Sequence, residues 1–200
     1  MEEGDILKVK LKDETELSYK KADLSVDEIK ELEGLSEYIG KLTKVNYGDQ
    51  YIKGKNGRKE LKANIEHTTP GGHTYKTDSL GRIDSAEGTL TKNTSKRNVY
   101  NQKVEEREDR LTTDDGGHLI ANIFEGSGDL DNLVPMDVTL NRGDWKYMEN
   151  TWARALSENP PLEVQVKIET IYSGSSKRPI SFEVQYKIGD GKWRLHEFEN

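Results

Sequence analysis

Apolar and polar residues alternate strictly in two stretches towards the C-terminal end of the chain. One is LEVQVKIETIY, which begins at Leu162. The other is ISFEVQYKI, which begins at Ile180 and is followed by the turn GDG and a third stretch, KWRLHEF. A period of two is typical of a strand with one buried face. We therefore expect these stretches to form an antiparallel sheet.

The segment before these predicted strands has apolar residues at helical spacing. The segment TLNRGDWKYMENTWARALSE repeats its apolar residues every three or four positions, at Trp145, Met148, Trp152 and Ala155. This spacing predicts one amphipathic helix with a buried apolar face. The helix should end before the NPP that follows, because proline cannot donate the hydrogen bond that continues a helix.

Shorter segments punctuated by glycine fill the middle of the chain from Tyr47, and they predict hairpins (LKANIEHT, HTYKTD and GRIDSAEGTLT). Before them, ILKVKLK is typical of a strand, and Ser25 with Glu28 forms the capping-box pattern of a helix start. Strands, one helix and further strands favour the α+β class. We expect a strand–helix appendage over residues 1–45 and a main domain over residues 46–200.

Composition excludes several kinds of site. The chain of 200 residues contains no cysteine, so it has no disulfide, thiolate zinc site, iron–sulfur centre or cysteine nucleophile. Its four histidines (His67, His73, His118 and His196) include no pair spaced as in a helical zinc site. A bound metal is therefore expected to have oxygen ligands. The start, MEEGDILKVK, has no secretory signal pattern, and no membrane association is expected.

Charge is unevenly distributed along the chain. The net charge is −7, with −6 in residues 1–40, +5 in 41–110, −6 in 111–140 and 0 in 141–200. The positive region includes KNTSKRNVYNQK, whose cationic residues could follow a phosphate backbone: Lys92, Lys96, Arg97 and Lys103. A solvated basic loop is the alternative explanation.

The segments DDGGHLIAN, DNLVPM and LNRGDWKYMEN carry the candidate chemistry. They predict a hairpin followed by a helix, with His118 at a strand end, Asn132 in a loop, and Asn141 and Glu149 on the helix. Imidazole titrates near pH 6.5, so it can accept a proton from water at neutral pH. An amide oxygen suits Mg²⁺, which binds few protein ligands and keeps several waters.

Each of these residues also has a structural explanation. Asn141 could cap the helix, and Glu149 could pair with Lys146 or Arg154 on its surface. In an ideal helix, Glu149 lies about 12 Å along the axis and about 80° around it from Asn141. We therefore expect Glu149 to act through water bound to the metal rather than as a direct ligand.

The run DDGGHLIA, NLVPM, LNRGDW and a later Glu resembles the DNA/RNA non-specific endonuclease family of ββα-metal, or His-Me finger, nucleases. The signature of that family is DRGH followed by a helix that contains Asn. The resemblance implies that His118 is the general base, that Asn141 ligates Mg²⁺ or Mn²⁺, and that Glu149 is the helix glutamate. It also implies supporting roles for Asn132 and Asp115.

One residue departs from this signature. Gly116 stands where DRGH has arginine, so Arg82, in SLGRI, becomes the candidate for the arginine at the scissile phosphate. The DGGH form is similar to C-terminal toxin domains of Gram-positive LXG-type polymorphic toxins. That resemblance implies a cognate immunity protein, secretion as part of a larger toxin and action in the cytoplasm of a target cell.

Taken with its resemblance, the sequence predicts a metal-dependent non-specific endonuclease that cleaves DNA, with RNA as a second candidate substrate. The alternative is a catalytically weak or inactive module on the same fold that binds nucleic acid or a partner, because the arginine at position 116 is missing. A sequence-specific nuclease of the related HNH kind is a further alternative, although no separate base-reading module is apparent.

Overall fold

A computed structural model describes residues 6–10, 16–20, 25, 28, 42–54, 57–93 and 109–200. The chain divides into two units, residues 1–43 and 44–200. In the first unit, β1 (Ile6–Lys10) is the predicted strand, and it pairs antiparallel with β2 (Glu16–Lys20), which was not predicted. Ser25 and Glu28 form the predicted capping box, and the rest of the predicted helix lies outside the described residues.

Within the described residues that follow, the structure has eleven more strands and two α-helices. The strands are β3 (Thr43–Lys44), β4 (Tyr51–Lys53), β5 (Lys59–Leu61), β6 (Ile65–Thr68), β7 (Thr74–Thr77), β8 (Ile83–Leu90), β9 (Asp114–His118), β10 (Leu133–Asp137), β11 (Val164–Tyr172), β12 (Pro179–Ile188) and β13 (Arg194–Glu199). The helices are α1 (Val138–Arg142) and α2 (Asp144–Ala155). The prediction of an α+β fold is confirmed.

A seven-stranded sheet, in the order β13–β12–β11–β8–β7–β6–β3, organises these elements. All its pairings from β6 to β13 are antiparallel. The chain leaves this sheet after β8 and returns to it at β11. Between those strands, β9 and β10 form a separate antiparallel hairpin that leads directly into α1. The predicted order of hairpin and helix is therefore confirmed.

The aromatic face of α2 packs on the C-terminal part of the sheet. The Trp145 ring lies 5.1 Å from Phe182 and 5.5 Å from Phe198, and the Trp152 ring lies 5.7 Å from Tyr186, between ring centroids. Tilted and edge-to-face contacts of this kind add roughly 0.5–1.5 kcal/mol each to the gain from burying the rings. All four predicted core residues of this helix are buried.

The prediction of one continuous helix is wrong, because the chain breaks between α1 and α2 at Gly143. This residue adopts φ −102° and ψ −105°, and a Cβ atom there would lie only 2.5 Å from the Thr139 carbonyl oxygen. The break separates Asn141 from Glu149, so the ideal-helix distance between them does not apply. In the described part of the chain, no helix is long and apolar enough to cross a membrane.

The side chains of Arg178 and Asn200, at the ends of β12 and β13, attach the β9–β10 hairpin to the main sheet. The Arg178 guanidinium donates to both carboxylate oxygens of Asp114, at 2.8 and 2.9 Å. The Asn200 side chain accepts from the Asp137 backbone N–H at 2.8 Å and donates to the Pro135 carbonyl at 3.0 Å. The Asp114 side chain is completely buried, so this paired charge holds the hairpin in place on the sheet.

Candidate active site

The two aspartates of DDGGH have different partners. Asp114 is buried against Arg178, whereas the Asp115 side chain is 26% exposed and contacts α1. Neighbouring residues of a strand point to opposite faces, which accounts for this division. Further along β9, a Cβ atom on Gly117 would lie 2.7 Å from Cβ of Met136. Glycine is therefore needed there for close packing of the hairpin.

Asp115 holds two consecutive residues of α1. Its Oδ2 atom accepts a hydrogen bond from Nδ2 of Asn141 at 3.0 Å. The same carboxylate accepts two from Arg142, from Nε at 2.8 Å and from Nη2 at 2.9 Å. The Arg142 hydrogen bonds are the largest cause of a lowered pKa at Asp115, so this carboxylate remains charged at neutral pH.

The contact with Asp115 also orients the Asn141 amide. A carboxylate only accepts hydrogen bonds, so the group that faces Asp115 must be the NH₂ of Asn141. Its carbonyl oxygen, Oδ1, consequently points away from Asp115 and is available to a cation. Asn141 does not cap a helix: Asp137 caps α1 through the Thr139 and Leu140 N–H groups, and Gly143 is the N-cap of α2.

His118 is the last residue of β9, where it lies opposite Leu133 of β10 and is 8% exposed. The loop that follows it is fixed by Asn132, whose side chain is buried. The Asn132 amide accepts from the Ile120 N–H at 2.9 Å and donates to the Ile120 carbonyl at 2.8 Å and to the Ser127 carbonyl at 2.7 Å. These contacts determine the path of the chain immediately after His118.

A buried network supports Asn132 from the neighbouring residue, and the sequence analysis missed it. Asp131 is fully buried and accepts from Gln50 Nε2 at 3.1 Å, His67 Nε2 at 2.9 Å and Ser127 Oγ at 2.6 Å. Gln50 and His67 come from segments far from Asp131 in the sequence, so no local spacing connects them to it, whereas Ser127 lies in the same loop. His67 therefore has a structural role.

Glu149 lies on α2 and is partly buried. Burial raises its pKa from 4.5 to about 7, and the nearby positive charge of Lys146 opposes this shift. Near neutral pH, Glu149 is thus divided between its protonated and ionised forms. A carboxyl group in this condition can donate to or accept from a bound water.

Arg82 is held by several partners of its own. Its guanidinium donates to Asp78 at 2.7 Å and to the carbonyls of Gly174 and Ser176 at 2.8 Å each. It also lies over the Tyr172 ring at 4.2 Å, and the side chain is 12% exposed. Arg82 joins two turns of the sheet, and its position gives no support to the predicted contact with the scissile phosphate.

Of the predicted nucleic-acid contacts, Lys92 is described. Its ammonium donates to Ser157 Oγ at 2.8 Å, which places Lys92 beside the segment that follows α2. Lys96, Arg97 and Lys103 lie outside the described residues. The basic surface predicted from KNTSKRNVYNQK therefore remains a prediction.

The residues around Asn141 fit a hard cation. Among residues with described positions, no group of three or more histidine, aspartate or glutamate side chains has metal-binding geometry. The Asn141 amide oxygen is held in place by Asp115 and is the type of ligand that Mg²⁺ accepts. A cation bound there through one protein ligand would keep most of its waters, and those waters could be exchanged for phosphate oxygens.

An antiparallel hairpin whose first strand ends at His118, followed by a short helix that carries the oriented Asn141, matches the ββα nuclease fold that the resemblance implies. The family model of the DNA/RNA non-specific endonucleases matches residues 63–190. The chain therefore belongs to the DNA/RNA non-specific endonuclease family, and the predictions of family and enzyme class are confirmed. The match includes every predicted catalytic and metal-binding residue.

The chain is also similar in sequence to curated proteins. It is 43% identical over 152 residues to the type VII secretion system protein EssD of Staphylococcus aureus strain USA300, covering 73% of this chain and 24% of that protein. The EssD of strain NCTC 8325 has the same identity and coverage. The chain therefore spans about a quarter of the length of these relatives.

Among solved structures, the chain resembles Sda1 nuclease with bound zinc, at 20% identity and a TM-score of 0.49 over 64% of this chain and 76% of that one. It also resembles NucA from Streptococcus agalactiae with magnesium bound, at 19% identity and a TM-score of 0.47 over 88% of each chain.

Proposed function

We propose that the protein is a metal-dependent endonuclease that hydrolyses phosphodiester bonds of DNA and also accepts RNA. The observation that carries this proposal is the hydrogen bond from Asn141 to Asp115, which leaves the amide oxygen of Asn141 directed away as a metal ligand. Membership of the DNA/RNA non-specific endonuclease family supports the same reaction class. An enzyme that cleaves DNA and RNA without sequence preference needs no structural element that reads the bases.

In the proposed reaction, His118 accepts a proton from a water molecule as that water attacks phosphorus. The phosphorus–oxygen bond to the leaving strand breaks, and the leaving oxygen takes a proton from solvent. A cation on Asn141, when bound, neutralises charge that develops on the phosphate and the leaving oxygen. Asn132 keeps the loop after His118 in place so that the imidazole holds its position.

Glu149 acts through water in this proposal. Its pKa of about 7 allows it to exchange a proton with water near neutral pH. Asn141 and Glu149 lie on separate helices, so the distance between them depends on the break at Gly143 rather than on one helical repeat. Asp115 is a positioning residue because it orients Asn141.

Supercoiled plasmid DNA and a structured RNA provide the test of activity. With Mg²⁺ or Mn²⁺ we expect conversion of the plasmid to nicked, linear and then fragmented DNA, and degradation of the RNA. Excess EDTA should stop both reactions, and a second addition of Mg²⁺ should restore them. Equal cleavage in EDTA would contradict metal dependence. No cleavage of either substrate with either metal would support the alternative of an inactive binding module.

We further propose that the chain is the toxin domain of a larger secreted protein. The support is its 43% identity to a quarter of EssD, which is named as a type VII secretion system protein. A free non-specific nuclease would damage its own cell, so a cognate immunity protein is expected to restrain the enzyme. The enzyme would then act in the cytoplasm of a target cell.

Co-expression tests the immunity partner. The wild-type enzyme should be toxic when expressed alone, and the adjacent open reading frame should rescue growth. The His118→Ala variant should be harmless with or without it and should still bind the partner in a pull-down. Harmless expression of an enzyme that is active after purification, with no partner recovered, would contradict the proposal.

Charge reversal locates the partner surface. If the partner covers the path of nucleic acid, acidic groups should face Lys92, Lys96, Arg97 and Lys103, and high salt should weaken the complex because it screens the charges. Changing these four residues to Glu should then weaken binding, whereas Lys187→Glu on β12 serves as the control. Unchanged binding by the fourfold variant would favour the acidic residues 1–40 as the binding surface.

A further inference from the structure

The departure at Gly116 leaves the scissile phosphate without its expected arginine. Arg82 does not fill this role, because its guanidinium is bound between two turns. Another arginine, Arg142, lies immediately after Asn141 in the sequence. Its side chain is 71% exposed, compared with 12% for Arg82, so a substrate can reach it.

Arg142 is held close to the proposed metal ligand. Nε of Arg142 and Nδ2 of Asn141 donate to the same oxygen of Asp115, at 2.8 and 3.0 Å. The two nitrogens therefore lie no more than about 6 Å apart. A phosphate oxygen bound to a cation on Asn141 would be within reach of a guanidinium at this distance.

Within the part of the chain that the structure describes, one edge of the Arg142 guanidinium is left unoccupied by hydrogen bonds to protein. Arg142 uses Nε and Nη2 for Asp115, which accounts for two of the five N–H groups of an arginine. The Nη1 edge can then make the paired hydrogen bonds by which arginine binds phosphate. Asp115 prevents the fork from rotating, so the free edge has a defined direction.

We propose that Arg142 is the arginine that contacts the scissile phosphate, replacing the arginine absent from position 116. This proposal rests on the proposed nuclease function. It assigns one carboxylate, Asp115, to two tasks: orienting the amide of the metal ligand and aiming the guanidinium at the same phosphate. Stability alone gives little reason for the exposed Arg142–Asp115 pair, because a surface ion pair contributes only about 0–1 kcal/mol to the free energy of unfolding.

Cleavage by Arg142→Gln measures the contribution to the reaction. We expect kcat at saturating Mg²⁺ to fall about 100-fold, as when one donor to transition-state charge is removed. The Mg²⁺ concentration that gives half-maximal rate should stay within about threefold, because Asp115 still orients Asn141. Arg154→Gln, an exposed arginine on α2, is the matched control and should keep kcat within about twofold of the wild-type value.

Chemical rescue distinguishes a direct contact from a positioning role. Millimolar guanidinium chloride should restore part of the activity of Arg142→Ala and none of that of His118→Ala. If Arg142 acted only by positioning Asp115, then Arg142→Gln and Asp115→Ala would share a raised Mg²⁺ requirement, and guanidinium would not help. That result would overturn the proposal, as would wild-type kcat in Arg142→Gln.

Binding of a single-stranded oligonucleotide in EDTA provides a readout without cleavage. In the His118→Ala background, loss of Arg142 should lower the slope of log affinity against log salt by about one, because one phosphate contact is lost. The Arg154→Gln control should leave the slope unchanged. If wild-type enzyme cleaves nothing, the proposed function fails, and the salt slope still decides whether Arg142 contacts phosphate.

Discussion

The chain contains the tripeptide Gly-Gly-His twice, and the two copies have different surroundings. Residues 71–73 form the turn between β6 and β7, where Gly72 adopts φ +81°. His73 is fully buried there, and a Cβ atom on Gly88 would lie 2.7 Å from its ring. Residues 116–118 end β9, preceded by Asp115, which holds Asn141.

The difference between the two copies shows that the tripeptide Gly-Gly-His alone does not determine the role of its histidine. The pKa of His73 is lowered by burial, with only partial opposition from Glu125, so this ring is neutral near pH 7. His118 instead lies next to a loop fixed by Asn132 and on the strand whose Asp115 orients Asn141, the proposed metal ligand. We therefore expect substitutions at His118 to change activity and substitutions at His73 to change stability.

The largest expected effect is that of His118→Ala on activity. Loss of a general base should lower kcat about 1,000-fold, while the free energy of unfolding changes by no more than about 1 kcal/mol. Plasmid cleavage and chemical denaturation measure the two quantities. Cleavage equal to that of the wild type would remove the distinction between the two histidines.

Asn141→Ala should have the next largest effect. Without its amide oxygen, kcat should fall about 100-fold and the Mg²⁺ concentration for half-maximal rate should rise at least tenfold. Asn150→Ala on the exposed side of α2 is the matched control. A crystal grown with metal should show mostly water around the ion, whereas two or more direct carboxylate ligands would contradict this assignment.

His73→Ala should reverse the pattern of His118→Ala. The cavity should lower the free energy of unfolding by about 2–4 kcal/mol, and the folded enzyme should retain its kcat within a fewfold. Because burial lowers the folded pKa of His73, its stability contribution is present above the unfolded value of 6.5 and is lost as pH falls. Chemical denaturation at several pH values between 5 and 8 should show that lowering the pH reduces the free energy of unfolding less in the variant than in the wild type.

Glu149→Gln should give the smallest effect and the opposite dependence on pH. Burial raises the folded pKa of Glu149 above its unfolded value of 4.5 to about 7, so its stabilising effect is present below 4.5 and lost as pH rises through 7. In EDTA at pH 8, the variant should be more stable than the wild type by about 1–2 kcal/mol, with no difference near pH 4. Identical melting at both pH values would place Glu149 in a more hydrated site.

The correct predictions of secondary structure came mainly from the local spacing of apolar residues. Alternation predicted β11, β12 and β13, and helical spacing predicted the buried face of α2, because both periods follow from backbone geometry. The same spacing did not reveal the break at Gly143. That break depends on a close approach of Gly143 to the Thr139 carbonyl, which only glycine permits. The spacing of apolar residues contains no information about such a backbone contact.

Local motifs were sufficient to predict the candidate base, the candidate metal ligand and the family, because DDGGH, NLVPM and LNRGDW lie close together along the chain. Only the three-dimensional structure shows that Asp115 rather than Asp114 contacts Asn141, that Arg82 is bound between two turns and that the exposed Arg142 side chain shares Asp115 with Asn141. It also decided that His67 and Gln50 converge on Asp131 from more than sixty residues away. Those roles depend on directed hydrogen bonds between distant segments, and neither composition nor period encodes which segments meet.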